Sequence, residues 1–347
     1  MEQINTIVSG NTGLANLGNT CFLNSCLQIL CHTEELTKIL NSEKIQKNLK
    51  NNLQDTTITR LWIELQKTIY NNNGIISPKQ FVLAIHYLAK NKKREIFTGW
   101  AQNDTSEFLL FMMDCLHNSL SRQIEVKIEG NVKNKKDKLA VECYNMIKTT
   151  YEKEYSEIMQ LFYGVYVSVL LSAEKQNILS CKPEHFFILD LQIPQNIKNP
   201  SIYDCFNLYC KSELLEGDNL WHNEKTGKKE AVYKKMTFWS FPSILVITLN
   251  RFDAINGKKL NTLINFPLYN LDLSEYIEGY NKLSYIYDLY GVCNHMGGIT
   301  GGHYTSFVKN NSEQWLLCND TNINLLKNPY SVISEQAYCL FYRKKNN

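Results

Sequence analysis

The chain has 347 residues, with 37 Lys and Arg against 34 Asp and Glu, a formal net charge of +3. Hydrophobic residues make up 44% and charged residues 20%, which excludes wholesale disorder and a collagen-like fibre, and the charge bias is too small to argue for a nucleic-acid partner. The eleven cysteines are odd in number, no two are spaced C-x-x-C, and no secretory signal precedes them, so a disulfide framework and a paired-cysteine zinc finger are both disfavoured. No segment reaches the ~18 uninterrupted apolar residues of a membrane span. Residues 1–10 carry neither a cationic nor an apolar signal region. These features predict a soluble intracellular protein, cytoplasmic or nuclear, with no membrane partner.

The first half reads as helical. The pattern predicts an amphipathic helix over 21–31, then helices over 57–70 and 77–90, the latter with Pro78 in its first turn. Residues 104–120 form the clearest helix, with Asp104 and Glu107 in the first turn, where the helix dipole favours negative charge. The Lys-rich stretch 127–138 reads as a solvated loop, and 139–161 as a further helix. Strand signals then dominate: 161–171, 186–193, 244–252, 287–294, 303–309, 315–319 and 337–343. Helices first and strands later predict an α+β fold.

Two segments carry chemistry. In Gly13-Leu-Ala-Asn-Leu-Gly-Asn-Thr-Cys21 a glycine-bearing polar turn feeds a helix, with Cys21 at the junction. A thiol at a helix N-terminus has its pKa lowered, and the free N–H groups of the first turn can hold an oxyanion. The second segment, Asn294-His-Met-Gly-Gly-Ile-Thr-Gly-Gly-His303-Tyr304, reads as a mobile glycine loop that delivers His303 to the start of a strand. A three-residue hairpin loop at 310–312 would pair Lys309 with Glu313 and place Asn319 opposite His303. A one-residue bulge would substitute Asp320. Either side chain could hold the imidazole in the tautomer that takes a proton from a thiol.

Together the stretches 13–30 and 287–320 resemble the Cys box and His box of the ubiquitin-specific proteases, papain-like cysteine deubiquitinases. Further matches follow in order. Gln102-Asn-Asp104-Thr-Ser-Glu107-Phe-Leu resembles the family's QQDAxEFL, and Leu161-Phe-Tyr-Gly164 its LFxG. Leu249-Asn-Arg251-Phe252 resembles LKRF, Lys259-Leu260 followed by Phe266-Pro267 fits the next segment, and Tyr338-Cys-Leu-Phe-Tyr-Arg343 resembles YxLFYR. The likeness spans residues 13–343.

The resemblance implies a hand-shaped catalytic domain over 13–343, preceded by a short tail, 1–12. Its helical thumb would cover about 13–163, β fingers about 164–243 and a β palm about 244–343. It implies a thiol-dependent peptidase that cuts after the C-terminal Gly-Gly of ubiquitin. Cys21 would be the nucleophile, His303 the general base and acid, and Asn319 or Asp320 the group orienting His303. Asn16 would be the oxyanion-hole side chain. Ubiquitin's cationic tail would meet Asp104, with Glu107 beside it, in a tunnel walled by Phe252, His295, Gly301, Gly302 and Tyr304. The implied partners are ubiquitin, ubiquitinated proteins and an activating protein. A silent ubiquitin-binding scaffold, or a protease for another ubiquitin-like modifier, is the competing reading.

Many family members hold a zinc in the fingers with two C-x-x-C pairs. The aligned positions here are Ser172 and Lys175, then Asn223 and Thr226, none of them a thiol. Cys181, Cys205, Cys210 and His222 have the wrong spacing for a substitute site. No metal or other cofactor is expected, and Phe238, Trp239 and Phe241 are expected to supply apolar area to the fingers.

Overall fold

The computed structural model describes residues 11–174, 177–224, 226–253, 257–299 and 301–345; most of the expected N-terminal tail, together with Lys175, lies outside them. Helices and sheets segregate along the chain as expected for α+β. The helices Cys21–Cys31, Glu34–Asn41, Glu43–Asn48, Gln54–Asn71, Lys79–Asn91, Thr105–Leu120, Lys135–Glu154 and Glu157–Phe162 precede the first long strand, Gly164–Ser172. The expected helix over 139–161 is in fact two. Lys135–Glu154 starts inside the stretch read as a loop, with an Asn134–Asp137 capping box, and Ser156 caps a new helix through the Met159 N–H.

The large sheet runs Asn322–Leu325, Trp315–Asn319, Gly301–Lys309, Ile286–Gly298, Ala337–Lys344, Ile244–Asn250, Ile188–Gln192, with Leu271–Asp272 also on the Ile286–Gly298 strand. Its neighbours pair antiparallel except the last two strands, which are parallel. The central strands read as unbroken apolar runs because both faces are covered. Cys339 and Phe341 point into a core shared with the helices, while Leu340 and Tyr342 point into a second core on the opposite face. A four-stranded antiparallel sheet, Ile178–Phe186, Gly164–Ser172, Val232–Ser240, Glu213–Leu215, extends from the large one. Phe238 and Phe241 lie 4.4 Å apart and pack with Phe186 and Phe206 where the two sheets meet. Of the three aromatics expected to serve the fingers, Phe238 and Phe241 thus pack at this junction, while Trp239 joins a separate cluster with Ala140, Cys143, Val165 and Val167.

The Cys21–Cys31 helix is not amphipathic. All eleven of its residues are buried, because the Gln54–Asn71 and Thr105–Leu120 helices pack on it from one side and the large sheet from the other. It rests on the sheet at Gly291, where a Cβ would come within 2.8 Å of the Ile29 side chain. Its buried donors reach backbone carbonyls. Gln28 donates to the Thr12 carbonyl at 2.8 Å, and Ser25 to the Phe22 carbonyl at 3.0 Å.

At the aligned finger positions, Asn223 and Thr226 both donate to Glu230, at 3.0 and 2.8 Å. One carboxylate thus ties the Trp221–Asn223/Lys228–Glu230 hairpin. Cys205 and Cys210 belong to the Ile202–Tyr209 helix and its cap, whereas Cys181 is in a strand and His222 in the hairpin. Among the described residues, no three His, Cys, Asp or Glu side chains gather as a metal site, and no helix is long and apolar enough to cross a membrane.

Candidate active site

Cys21 stands at the first position of its helix, after Thr20, and only 3% of its surface is exposed. Burial pushes its thiol above the ordinary cysteine value, and the Asp320 carboxylate adds to that rise. The N–H of Tyr304 and those of Phe22 and Cys21 itself pull the other way. The expectation of a net-lowered pKa is therefore overturned: desolvation outweighs the helix terminus, and the resting group is a neutral thiol that needs a base. The influence of the Tyr304 N–H puts the thiol near the strand residue that follows His303.

His303 lies near the start of the Gly301–Lys309 strand, and its Nε2 is 2.7 Å from Asn319 Oδ1. A carboxamide oxygen only accepts, so Nε2 carries the proton and Nδ1 presents its lone pair. The pairing that brings the two together differs from the expected one. Lys309 pairs with Trp315, and Ser306 with Cys318. The loop is Asn310–Gln314, five residues, because Asn310 Oδ1 accepts the N–H groups of Ser312 and Gln314 at 3.0 and 2.9 Å. The register moves by two, which keeps Asn319 on the same face but diagonal to His303, a separation that long side chains still bridge. Lys309 and Glu313 meet as an ion pair through their side chains instead.

Asp320 begins the turn into Asn322–Leu325 with φ 47, so its side chain leaves the strand face that Asn319 occupies. It does not reach for the imidazole. Its two carboxylate oxygens accept from Asn16 Nδ2 at 2.9 Å and Asn24 Nδ2 at 2.8 Å. Asn16 Oδ1 in turn accepts from the N–H groups of Gly18 and Thr20, at 3.0 and 3.1 Å. The Asn16 amide is thus held at both ends, with one N–H left over, in the turn that leads to Cys21. Asn24 was not singled out from the sequence; a polar residue in the first turn of a fully buried helix is the signal that marks it.

The described glycines of this segment are paired in strands rather than lying in an open loop. Gly297 pairs with Gly302 and Gly298 with Gly301, and residue 300 lies outside the described residues. A Cβ on Gly302 would meet Met296 O at 2.2 Å and His295 Nε2 at 2.4 Å, so the close strand approach demands glycine.

Beside it opens a cleft of about 310 Å³, lined by all seven residues expected to meet a tail: Asp104, Glu107, Phe252, His295, Gly301, Gly302 and Tyr304. Asp104 is already heavily engaged. It caps the Thr105–Leu120 helix through the N–H groups of Ser106 and Glu107 and the Ser106 hydroxyl, and its second oxygen accepts from Tyr304 and Tyr338 at 3.1 and 2.9 Å. Glu107 is exposed. His295 packs between Phe252 and Tyr304, at 5.3 and 4.7 Å between ring centres, and burial with Lys259 nearby pushes its pKa down to about 4.

Two cations brace this wall through backbone carbonyls. Lys259 donates to the His295 carbonyl at 2.6 Å. Arg251, fully buried, donates from Nε to the Ala337 carbonyl at 2.7 Å, and from Nη1 to those of Leu260 and Thr262 at 2.9 and 2.8 Å. Desolvation pushes its pKa down to about 10.

Chemically, the site joins a buried thiol, an imidazole of fixed tautomer, an anchored amide donor and a cleft that reaches Gly302 and Tyr304, the residues on either side of His303. Comparison with known proteins points the same way. The family model described as ubiquitin carboxyl-terminal hydrolase matches residues 12–342. Human ubiquitin carboxyl-terminal hydrolase 2 is 33% identical over 341 residues, covering 96% of this chain and 55% of that protein. The chicken protein of the same name is 34% identical over 345 residues, covering 97% of this chain and 94% of that one. Against the first of these relatives, then, the chain spans about half the length. Among solved structures, a chain of the yeast SAGA Ubp8/Sgf11/Sus1/Sgf73 DUB module bound to ubiquitin aldehyde superposes with a TM-score of 0.74 at 24% identity, covering 98% of this chain and 70% of that one, which shows a shared fold.

Proposed function

Because this chain belongs to the ubiquitin carboxyl-terminal hydrolase family, we propose that it is a thiol-dependent deubiquitinase that hydrolyses the bond after the C-terminal Gly-Gly of ubiquitin. The observation that carries the reading is the His303–Asn319 contact of 2.7 Å, on the strand whose next residue, Tyr304, turns its N–H toward a buried thiol at a helix start. His303 Nδ1 takes the Cys21 proton, and the thiolate sulfur bonds to the glycine carbonyl carbon. The oxyanion is met by the spare N–H of Asn16 and the N–H of Cys21, each donor lowering the barrier by roughly 3 kcal/mol. The imidazolium then gives its proton to the departing amine, and water, deprotonated by His303, cleaves the thioester.

Asn319 supplies the orienting group, and Asp320 instead positions Asn16. The tail enters by the cleft of Glu107, Phe252, His295 and Tyr304, and Glu107 meets its basic side chains. Asp104 builds the wall rather than spending its carboxylate on the substrate. The division into thumb, fingers and palm fits this assignment, with Cys21 delivered by the helical part and His303 by the large sheet. Eleven free cysteines fit action in a reducing, intracellular compartment. The neighbour's assembly with Sgf11, Sus1 and Sgf73 supports an activating partner for this chain too. Release of a fluorophore from the C-terminus of ubiquitin by the wild type, and none by Cys21→Ser, is the expected result. Equal rates for both proteins would reject the reading.

A further inference from the structure

We propose that the Gln102 side-chain amide is a placeholder for the last peptide unit of the ubiquitin tail, seated where that unit must go and exchanged for it on binding. The proposal rests on the deubiquitinase reading and adds to it a residue that controls entry to the site.

The bonds that seat Gln102 are reciprocal. Gly302 N–H donates to Gln102 Oε1 at 2.8 Å, and Gln102 Nε2 donates to Gly302 O at 2.9 Å. A strand residue directs its N–H and C=O to the same side. Both of Gly302's groups therefore face away from its partner strand and onto the outer edge of Gly301–Lys309. On that edge the neighbouring strand Trp315–Asn319 pairs only from Ser306 onward. Residues 302–305 are thus a short open edge, with the Tyr304 N–H on it near enough to the Cys21 thiol to act on its charge.

An extended peptide whose final carbonyl reaches Cys21 runs along this edge, adding a strand to it. The N–H of its final residue then needs the Gly302 carbonyl as acceptor. In the resting protein the carboxamide occupies the Gly302 carbonyl that the final residue's N–H requires, and covers the Gly302 N–H beside it. It saturates an edge that would otherwise stand open beside the nucleophile, at the cost of having to leave. Gln102 is exposed, at the mouth of the cleft, so it can swing out without unpacking the core. Its Oε1 lies 2.6 Å from where a Cβ on Gly301 would stand, so the seat is tight.

The competing role is a brace: the same bridge ties the loop before the Thr105–Leu120 helix to the hairpin that carries His303. Affinity separates the two. Gln102→Ala removes the amide, and Gln102→Leu removes its hydrogen bonds but keeps bulk; the side chain's exposure means that neither should move Tm. In a Cys21→Ala background, the affinity for ubiquitin is measured beside that for ubiquitin lacking its last two residues. A placeholder predicts that both Gln102 variants bind intact ubiquitin about fivefold more tightly, the weight of one net hydrogen bond, with no change for the truncated form. In otherwise wild-type protein KM falls by a similar factor while kcat stays within about twofold. Weaker or unchanged binding of intact ubiquitin, or a fall in kcat at constant KM, overturns the proposal and assigns Gln102 to bracing. No binding of ubiquitin by the Cys21→Ala protein with Gln102 intact, and no cleavage by the wild type, would instead reject the deubiquitinase reading itself.

Discussion

Asn319 and Asp320 are consecutive, yet they serve opposite halves of the site. Asn319 stays on the strand and holds His303 at 2.7 Å, while Asp320 turns off at φ 47 and holds Asn16 at 2.9 Å. Under the proposed mechanism one residue sets the base and the next sets the oxyanion donor, so the two should fail differently. Asn319→Ala frees the imidazole to take the wrong tautomer, and kcat should fall by at least about 100-fold. Asp320→Ala releases Asn16, with a loss of up to about 100- to 1,000-fold, the weight of one oxyanion donor. If so, Asp320→Ala added to Asn16→Ala costs little more, whereas Asn319→Ala added to Asn16→Ala costs its own factor again. Equal, small losses of kcat for the two single variants would refute both roles.

Asp104 and Glu107 are one helical turn apart but are predicted to act on different quantities. Asp104→Ala removes a helix cap and strands two tyrosine hydroxyls, which should cost about 3 kcal/mol in urea melts. Glu107→Gln should leave stability unchanged and raise KM for a ubiquitin substrate about two- to fivefold, the range of an exposed ion pair. A Glu107→Gln protein with unchanged KM would remove that residue from the tail site.

Most of the fold was legible because the chemistry was local. The Cys21 helix and the 315–319 strand fall where apolar spacing put them. Asp104 was placed in the first helical turn; that it caps the helix and holds two tyrosines only the fold displays. What stayed hidden was decided by long-range contact. The thiol pKa turns on burial by the sheet, which no N-terminal segment announces. The roles of Asn24 and Gln102 depend on partners 296 and 200 residues away. The hairpin register was misjudged by two because the Asn310 side chain organises a longer loop. His303 and Asn319 still meet, since an even shift leaves both on one face.

Burial of His295 makes stability depend on acid. Its folded pKa, about 4, lies below the ordinary histidine value of about 6.5, so below that value the unfolded chain binds the proton first. The contribution is present above about pH 6.5 and is lost as pH falls toward 4. His32, His117 and His185 are shifted the same way by burial and steepen the loss. His295→Asn should flatten the stability–pH slope between pH 6 and 4.5 by up to about 1.4 kcal/mol per pH unit. An unchanged slope would mean that His295 protonates in the folded state as it does in the unfolded one.

The finger hairpin is predicted to need no metal. Purified protein should carry no stoichiometric zinc, and a chelator should change neither Tm nor activity. Glu230→Ala, which removes the shared acceptor of Asn223 and Thr226, should cost about 1–2 kcal/mol. A Tm drop on chelation, reversed by zinc, would contradict this.

The most direct test of the central claim is reaction with ubiquitin bearing a C-terminal electrophile, with the adduct mapped by mass spectrometry. The account predicts one adduct, at Cys21, lost in Cys21→Ala and slowed in His303→Ala. An adduct on any of the other ten thiols, or a folded wild type that stays unlabelled beside a positive control, would contradict it.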